Sequence, residues 1–317
     1  VFSFVNSVYG PSFVATEPDE VAFSSAFQPE FQSEADIFQL TVKHELERAT
    51  LTSYTQLRQE RTTSIMDFDF SAAPVFHFIY DANDDIFTQE FLLSAEASDK
   101  LQWTTGLFFF ANENEYANNR GDAFNQGFVL NGGSGTDTRS VAAFGDMTYQ
   151  LQDNWFLTAG LRVSYDETTD AYLTNSDTLQ QISVDDINDT KVTPRVVLRY
   201  TPTEESSVYV SYTQGHKSGV LNVGGQDPDN VEIDPEKIQA FELGYKYAGD
   251  NFTFDTAAYY YDYQDLQVAS YDGAKSLIEN AGDSSITGVE AQARFALSEN
   301  LSFNLGGNYM NAEYENF

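Results

Sequence analysis

The sequence contains no cysteine and has few basic residues. Its 317 residues include 16 Lys and Arg against 49 Asp and Glu, which gives a formal net charge of −33. The absence of cysteine excludes disulfides and Cys-ligated metal sites. The scarcity of cations argues against a nucleic-acid partner, because phosphate contacts require a basic surface.

Long apolar runs are absent as well. No segment approaches the roughly 18 apolar residues of a transmembrane helix, and the mean hydropathy is −0.39. A helical membrane protein is therefore excluded. A membrane β-barrel is not, because its strands need only about 10 residues and only every second one must be apolar. Aromatic residues, at 15% of the chain, are too frequent for a disordered protein.

The sequence does contain alternation with a period of two. Between Trp155 and Tyr165 every second residue is apolar or aromatic, and the residues between them are mostly small, polar or charged. A helix, with its period of 3.6 residues, would not produce this pattern. The predicted strands are long and carry aromatic residues near their ends, which is typical of transmembrane barrels. Further runs of this kind are Arg139–Leu151, Lys191–Tyr200 and Thr287–Leu297.

Short polar turns alternate along the chain with long connections. Short turns on one side and long loops on the other are typical of an outer-membrane barrel. We predict an all-β, antiparallel transmembrane barrel with about 12 strands from Asp36 onward. A soluble β-sheet binding module, which also alternates, is the alternative. The predicted short turns are Ser98–Lys100, Gln152–Asn154, Thr201–Glu205, Ala248–Asp250 and Ser298–Asn300, and the long connections are Ala117–Asp137, Asp166–Thr190, Gly215–Pro235 and Gln264–Ser284.

Several motifs carry a family resemblance. Tyr209–Asn222 reads YVSYTQGHKSGVLN and resembles the barrel signature of TonB-dependent outer-membrane receptors. Ile233–Lys246, IDPEKIQAFELGYK, is similar to the Pro-Glu and Glu-x-Gly-x-Lys that open their next strand. Asn280–Glu290, NAGDSSITGVE, resembles the Gly-x-Glu entry to a later one. The resemblance covers roughly Asp36–Phe317.

The resemblance implies an outer-membrane protein of a Gram-negative bacterium, and not an enzyme. Such receptors import a scarce solute, most often a ferric siderophore, through a barrel of about 22 strands that holds a plug domain. Neither the plug nor the remaining strands are recognisable, so residues 1–317 are expected to be a partial barrel domain that lacks the N-terminal plug and C-terminal strands. The expected partners are membrane lipid and lipopolysaccharide, the plug, TonB acting through that plug, and a small iron chelate. A self-contained barrel of about 12–14 strands is the structural alternative, and a passive porin-like channel is the alternative function.

The resemblance also suggests roles for particular residues. We expect two groups of residues near the extracellular mouth of the barrel, where the ligand would bind. One is an aromatic and amide cluster in a long connection, and the other is the end of the strand that begins at Tyr209. Polar residues that alternate with the apolar rows are expected to face the lumen, where they line a wet interior or contact the plug. The predicted ligand residues are Phe124, Asn125, Gln126, Phe128, His216 and Lys217; the predicted lumen residues are Arg162, Arg195, Arg199, Glu290 and Arg294.

Two long connections are strongly acidic. Clustered carboxylates supply the hard oxygen ligands that Ca²⁺ prefers, although such runs also form ordinary solvated surfaces. We therefore predict a candidate calcium site between these connections, and no other cofactor. Its ligands would come from Asp185, Asp186, Asp227 and Asp229.

Overall fold

A computed structural model describes residue 7 and residues 29–67, 71–73, 76–123, 128–175, 180–225, 231–272 and 275–315. Nearly all of these residues lie in antiparallel strands. No helix in the described ranges has the length and apolar character needed to cross a membrane.

The described residues form 17 strands. The main sheet contains 13 of them. Twelve pair in the order β1-β2-β3-β4-β5-β6-β8-β9-β12-β13-β16-β17, and the thirteenth, β7, pairs with β6. The prediction of about 12 long strands is thus confirmed. The strands are β1 Glu30–Glu45, β2 Thr50–Asp67, β3 Phe76–Ser98, β4 Leu101–Ala123, β5 Phe128–Gln152, β6 Trp155–Thr174, β7 Gln181–Ser183, β8 Ile187–Thr203, β9 Ser206–Lys217, β10 Val220–Leu221, β11 Glu232–Ile233, β12 Glu236–Ala248, β13 Phe252–Gln264, β14 Leu266–Asp272, β15 Lys275–Ala281, β16 Ser284–Ser298 and β17 Leu301–Tyr314.

One face of the sheet is apolar, and the alternating pattern explains why. On β6, Leu161 and Val163 expose 50% and 41% of their surface, and register pairs Val163 with Val192 on β8. Successive side chains of a strand point to opposite faces, so the residues between them form the other, polar face. An aromatic pair closes the apolar rows at one end, where the rings of Trp155 and Tyr200 stack at 4.7 Å.

The predicted short turns are confirmed. The β3–β4, β5–β6, β8–β9 and β16–β17 pairs are each joined by two residues, and β12–β13 by three. We call this end of the sheet the turn end and the opposite one the loop end.

The long connections are shorter than predicted, which corrects the sequence interpretation. β4 continues to Ala123 and β5 begins at Phe128, so most of Ala117–Asp137 is strand. Likewise β6 extends to Thr174. These extensions are rich in polar residues, and their few apolar residues stand side by side, as in Phe128–Leu130 and Ala171–Leu173. The apolar alternation that marks the rest of each strand is therefore missing, and the sequence reads as loop.

A cap covers part of the loop end. It consists of residues 218–225 and 231–235, which contain β10, β11 and a 3₁₀ turn at Val223–Gly225, together with the β14–β15 hairpin. Apolar side chains of the cap pack on the end of β6 in a small buried core, the cap core, formed by Ala171, Leu173, Leu221, Val223 and Val231 with Ile182, Val184 and Ile187 at its edge.

Candidate functional site

A cavity of about 1250 Å³ lies at the loop end, between the polar face of the sheet and the cap. Its wall combines aromatic, hydroxyl, amide and charged groups. Phe110 and Tyr116 of β4 face it from the sheet, and Asn222 and Ile233 face it from the cap. A large concave space with an apolar lining and a few convergent polar groups is the usual form of a small-molecule site.

Asp166 gathers hydrogen bonds beside this cavity. Its Oδ2 accepts a bond from Ser218 Oγ at 2.8 Å and lies 3.3 Å from His216 Nε2. Asp166 lies one residue beyond Tyr165, outside the apolar band of β6. Burial alone would raise the pKa of Asp166, but the bonds from Ser140, Ser218 and His216 outweigh burial, so the pKa lies below its ordinary value of 3.8.

The three residue types of a catalytic triad meet here in an arrangement that is not a triad. Ser218 and His216 both bond the same carboxylate oxygen, Asp166 Oδ2. A triad needs the histidine between the serine and the carboxylate, so that the imidazole can take the serine proton. The geometry instead fixes the start of the cap against the end of β6.

Two amide side chains join the parts of the cap. Asn280 Oδ1 accepts a bond from Asp234 N at 2.8 Å, and Asn280 Nδ2 donates to Asp234 O at 3.0 Å and to Asp265 O at 2.8 Å. Gln267 Nε2 donates to Ser218 O and to Asp234 O, each at 3.0 Å. We call these two side chains the amide clamp. They hold the β14–β15 hairpin on Ser218 and Asp234, which lie in the other part of the cap.

The predicted ligand residues fall partly within the described chain. Lys217 ends β9 and lines the cavity, and His216 beside it contacts Asp166. Phe124, Asn125 and Gln126 lie outside the described residues. For Phe128 the structure gives only its place at the start of β5. A ligand role for these residues stays a prediction.

The candidate calcium site also stays a prediction. Asp185 and Asp186 are exposed between β7 and β8, whereas Asp227 and Asp229 lie outside the described residues. Within the described ranges no group of three or more His, Asp or Glu side chains is arranged to hold a metal ion.

The five predicted lumen residues share the polar face of the sheet. Register pairs Arg195 with Gly160 and Arg199 with Phe156. These positions alternate with the apolar rows, so their side chains lie on the opposite face of the sheet. Arg162 lies over the rings of Phe108 and Phe144, at 5.1 and 5.4 Å. Glu290 and Arg294 face the same way on β16. Contact of these residues with a plug or with water in the lumen stays a prediction.

The same face carries an aromatic and acidic cluster that sequence reasoning missed. Tyr209 on β9 lies over Gly244 of β12 and donates a hydrogen bond to Glu242, and Tyr259 on β13 lies over Gly288 of β16. Each glycine provides the space that a ring occupies, because a Cβ there would overlap it. The recurrence of Tyr opposite Gly in adjacent predicted strands was the available signal.

Residues 3–316 match the family model described as TonB dependent receptor-like, beta-barrel. The chain belongs to this family. Its members are outer-membrane proteins of Gram-negative bacteria.

Two groups of curated proteins are similar to the chain. The pesticin receptor of Yersinia enterocolitica is 30% identical over 186 residues, which cover 57% of this chain and 27% of that protein. The probable TonB-dependent siderophore receptor PiuA of Acinetobacter baumannii is 27% identical over 171 residues, which cover 52% of this chain and 22% of that protein. The chain thus matches about a quarter of the length of these relatives.

Solved receptors share the fold. The ferric yersiniabactin uptake receptor FyuA from Yersinia pestis superposes with a TM-score of 0.78 at 20% identity, over 90% of this chain and 43% of that one. The siderophore receptor PiuA from Acinetobacter baumannii gives 0.70 at 16% identity, over 91% and 48%. The copper transporter OprC gives 0.70 at 15% identity, over 90% and 47%. The all-β barrel fold predicted from the sequence is confirmed.

Proposed function

We propose that this chain is the solute-binding and membrane-spanning part of an outer-membrane receptor that imports a metal chelate, most simply a ferric siderophore, with energy delivered through TonB. The observation that carries the proposal is the cavity at the loop end, walled by Tyr116, Asn222 and Lys217 and roofed by the cap. The similarity to siderophore receptors supports the choice of solute. The function is transport and involves no chemical conversion of the solute.

The lengths of the connections support an orientation with the loop end outside the cell. In outer-membrane barrels short turns face the periplasm and long connections face the medium. A solute arriving from outside would therefore meet the cap and the cavity first. Apolar rows such as Leu161 and Val163 would face lipid, and the Trp155–Tyr200 stack would lie at the periplasmic interface, since amphipathic rings prefer such boundaries.

The polar face would contact the plug. Arg162, Arg195, Arg199, Glu290 and Arg294 supply charged groups along it, and Glu242 adds a carboxylate beside Tyr209. A plug segment of opposite charge would pair with these groups. TonB would pull on the plug and so change these contacts, which is how binding at the loop end would be coupled to release into the periplasm.

A passive channel is the competing function, and one experiment separates the two. Cells lacking the gene, supplied with the full-length gene or an empty vector, are grown on candidate iron chelates with and without TonB. We expect growth rescue that requires both the gene and TonB. Rescue that persists without TonB would favour the passive channel, and no rescue with any chelate would contradict iron transport.

A further inference from the structure

The cavity wall carries more negative than positive charge. Among the described residues, five carboxylates and two lysines line it. Two of the carboxylates have cationic partners: Lys191 Nζ lies 2.8 Å from Asp189 Oδ2, and Arg139 Nη1 lies 3.8 Å from Glu167 Oε1. Asp166 and the two exposed cap carboxylates, Glu232 and Asp234, remain against Lys217. Bringing a polyanion into this space would set its charge against carboxylates whose repulsion water screens less than at an open surface.

Buried polar atoms in the same wall lack partners. Ser134 Oγ, Asn222 Nδ2 and Gln267 Oε1 make no hydrogen bond to any described residue. Ser134 and Asn222 are only 1% and 6% exposed. Unpaired buried polar groups are costly, so water or another group held within the wall is expected to supply the missing bonds. These three atoms make the wall polar without adding charge.

Aromatic rings form the apolar part of the wall. The rings of Tyr80 and Tyr116 lie 5.3 Å apart, and Phe110 lines the cavity on the same strand as Tyr116. Such rings pack against flat apolar groups, and they also attract cations through their π faces. Neither property favours an anion.

We propose that this cavity takes an uncharged or cationic chelate with an apolar or aromatic part, and that it discriminates against polyanionic chelates. That the solute is a metal chelate rests on the proposed function; the charge preference rests on the cavity wall. Lys217, predicted from sequence to contact the ligand, lines the cavity together with carboxylates that oppose an anion.

The test uses iron trihydroxamate chelates built on one scaffold that differ only in their peripheral groups, which are ammonium, methyl or carboxylate. Dissociation constants are measured with the full-length gene product in detergent. We expect the carboxylate form to bind about tenfold or more weaker than the other two. The double variant Glu232→Gln/Asp234→Asn should narrow that gap, whereas Asp185→Asn/Asp186→Asn, which removes equal charge outside the cavity wall, should leave it unchanged.

Equal affinity for all three chelates, an equal effect of the two double variants, or binding of none of the chelates would overturn the proposal. Uptake of the same chelates by cells with and without TonB is measured separately. Charge-selective binding without TonB-dependent uptake would contradict the transport function and leave the charge preference standing. TonB-dependent uptake without charge selectivity would contradict the charge preference and leave the transport function standing.

Discussion

Arg195 and Asp146 form an ion pair that passes over Gly160. The three residues occupy one register row across β8, β6 and β5, and Arg195 Nη1 lies 3.0 Å from Asp146 Oδ2. A Cβ at Gly160 would lie 2.7 Å from that oxygen. The glycine therefore leaves room for side chains of two strands that are not neighbours to form an ion pair on the polar face.

Removing this pair should cost little. Asp146→Asn and Gly160→Ala are each expected to lower the free energy of unfolding by no more than about 1 kcal/mol, because both charged side chains are half-exposed. The two changes act on the same contact, so the double variant should cost no more than the larger single one. Urea unfolding in lipid vesicles measures this cycle, and full additivity would show that Gly160 does not serve the pair.

Gly244→Ala should destabilise the sheet more strongly. Its Cβ would lie 2.3–2.4 Å from the ring and hydroxyl of Tyr209, a rigid side chain held by its bond to Glu242. We expect a loss of about 1–3 kcal/mol, visible as a lower temperature of the heat-induced gel shift. Gly145→Ala on β5 is the control, since the atoms nearest its added Cβ lie 3.8–4.0 Å away. Equal effects of both variants would argue against the packing role.

An arginine on β16 should have opposite consequences on its two faces. Val289 belongs to the apolar face and is half-exposed, so Val289→Arg would place a charge in lipid and cost about 2–4 kcal/mol. Gln292 belongs to the polar face, and Gln292→Arg should be tolerated. The yield of folded protein in the outer membrane compares them. Equal yields would contradict the assignment of the lipid face.

The amide clamp should control the mobility of the cap. Asn280→Ala removes three hydrogen bonds to the backbone of Asp234 and Asp265, a loss of about 1–3 kcal/mol for the groups left unpaired. We expect faster proteolysis within the cap at unchanged global stability. Asn311→Ala serves as the control, because Asn311 bonds only the nearby Glu313 side chain among the hydrogen bonds described. Unchanged cleavage of the Asn280 variant would contradict the clamp.

Acidification should loosen the attachment of the cap to β6. Because the pKa of Asp166 is lowered in the folded protein, its carboxylate contributes stability that is complete above about pH 4, the unfolded value. This contribution is lost as the pH falls through the lower folded pKa. Hydrogen exchange of the cap, corrected for intrinsic rates, should rise there. Asp166→Asn should remove this pH dependence and Asp185→Asn should not; a dependence that survives Asp166→Asn would exclude the carboxylate as its source.

The sheet was predictable because its rule is local. Alternation between Trp155 and Tyr165 assigns each side chain to one face, and the short turns then set the order of the strands. The same rule placed Arg195 and Glu290 on the polar face. It stopped where the apolar residues no longer alternate, and for that reason the extension of β6 to Thr174 was taken for a loop.

The site was less predictable because its contacts join distant residues. His216 and Ser218 contact Asp166 although about 50 residues of sequence separate them. No spacing of residues in the sequence predicts such a contact. Asn280 and Gln267 are ordinary amides in the sequence. Their role depends on how β14–β15 folds back onto Ser218 and Asp234, which is decided by packing and backbone hydrogen bonds rather than by periodicity.

The cap core gives the loop end a source of cohesion that the sheet does not share. The largest fully buried apolar side chain is Leu173, which packs with Leu221 and Val231, while the long strands depend on backbone pairing and surrounding lipid. Detergents that replace lipid around the apolar face would preserve the sheet. The stability of the cap would then depend only on the small free energy of unfolding that the cap core provides. The receptor would then unfold in two cooperative steps, with solute recognition failing before the scaffold does.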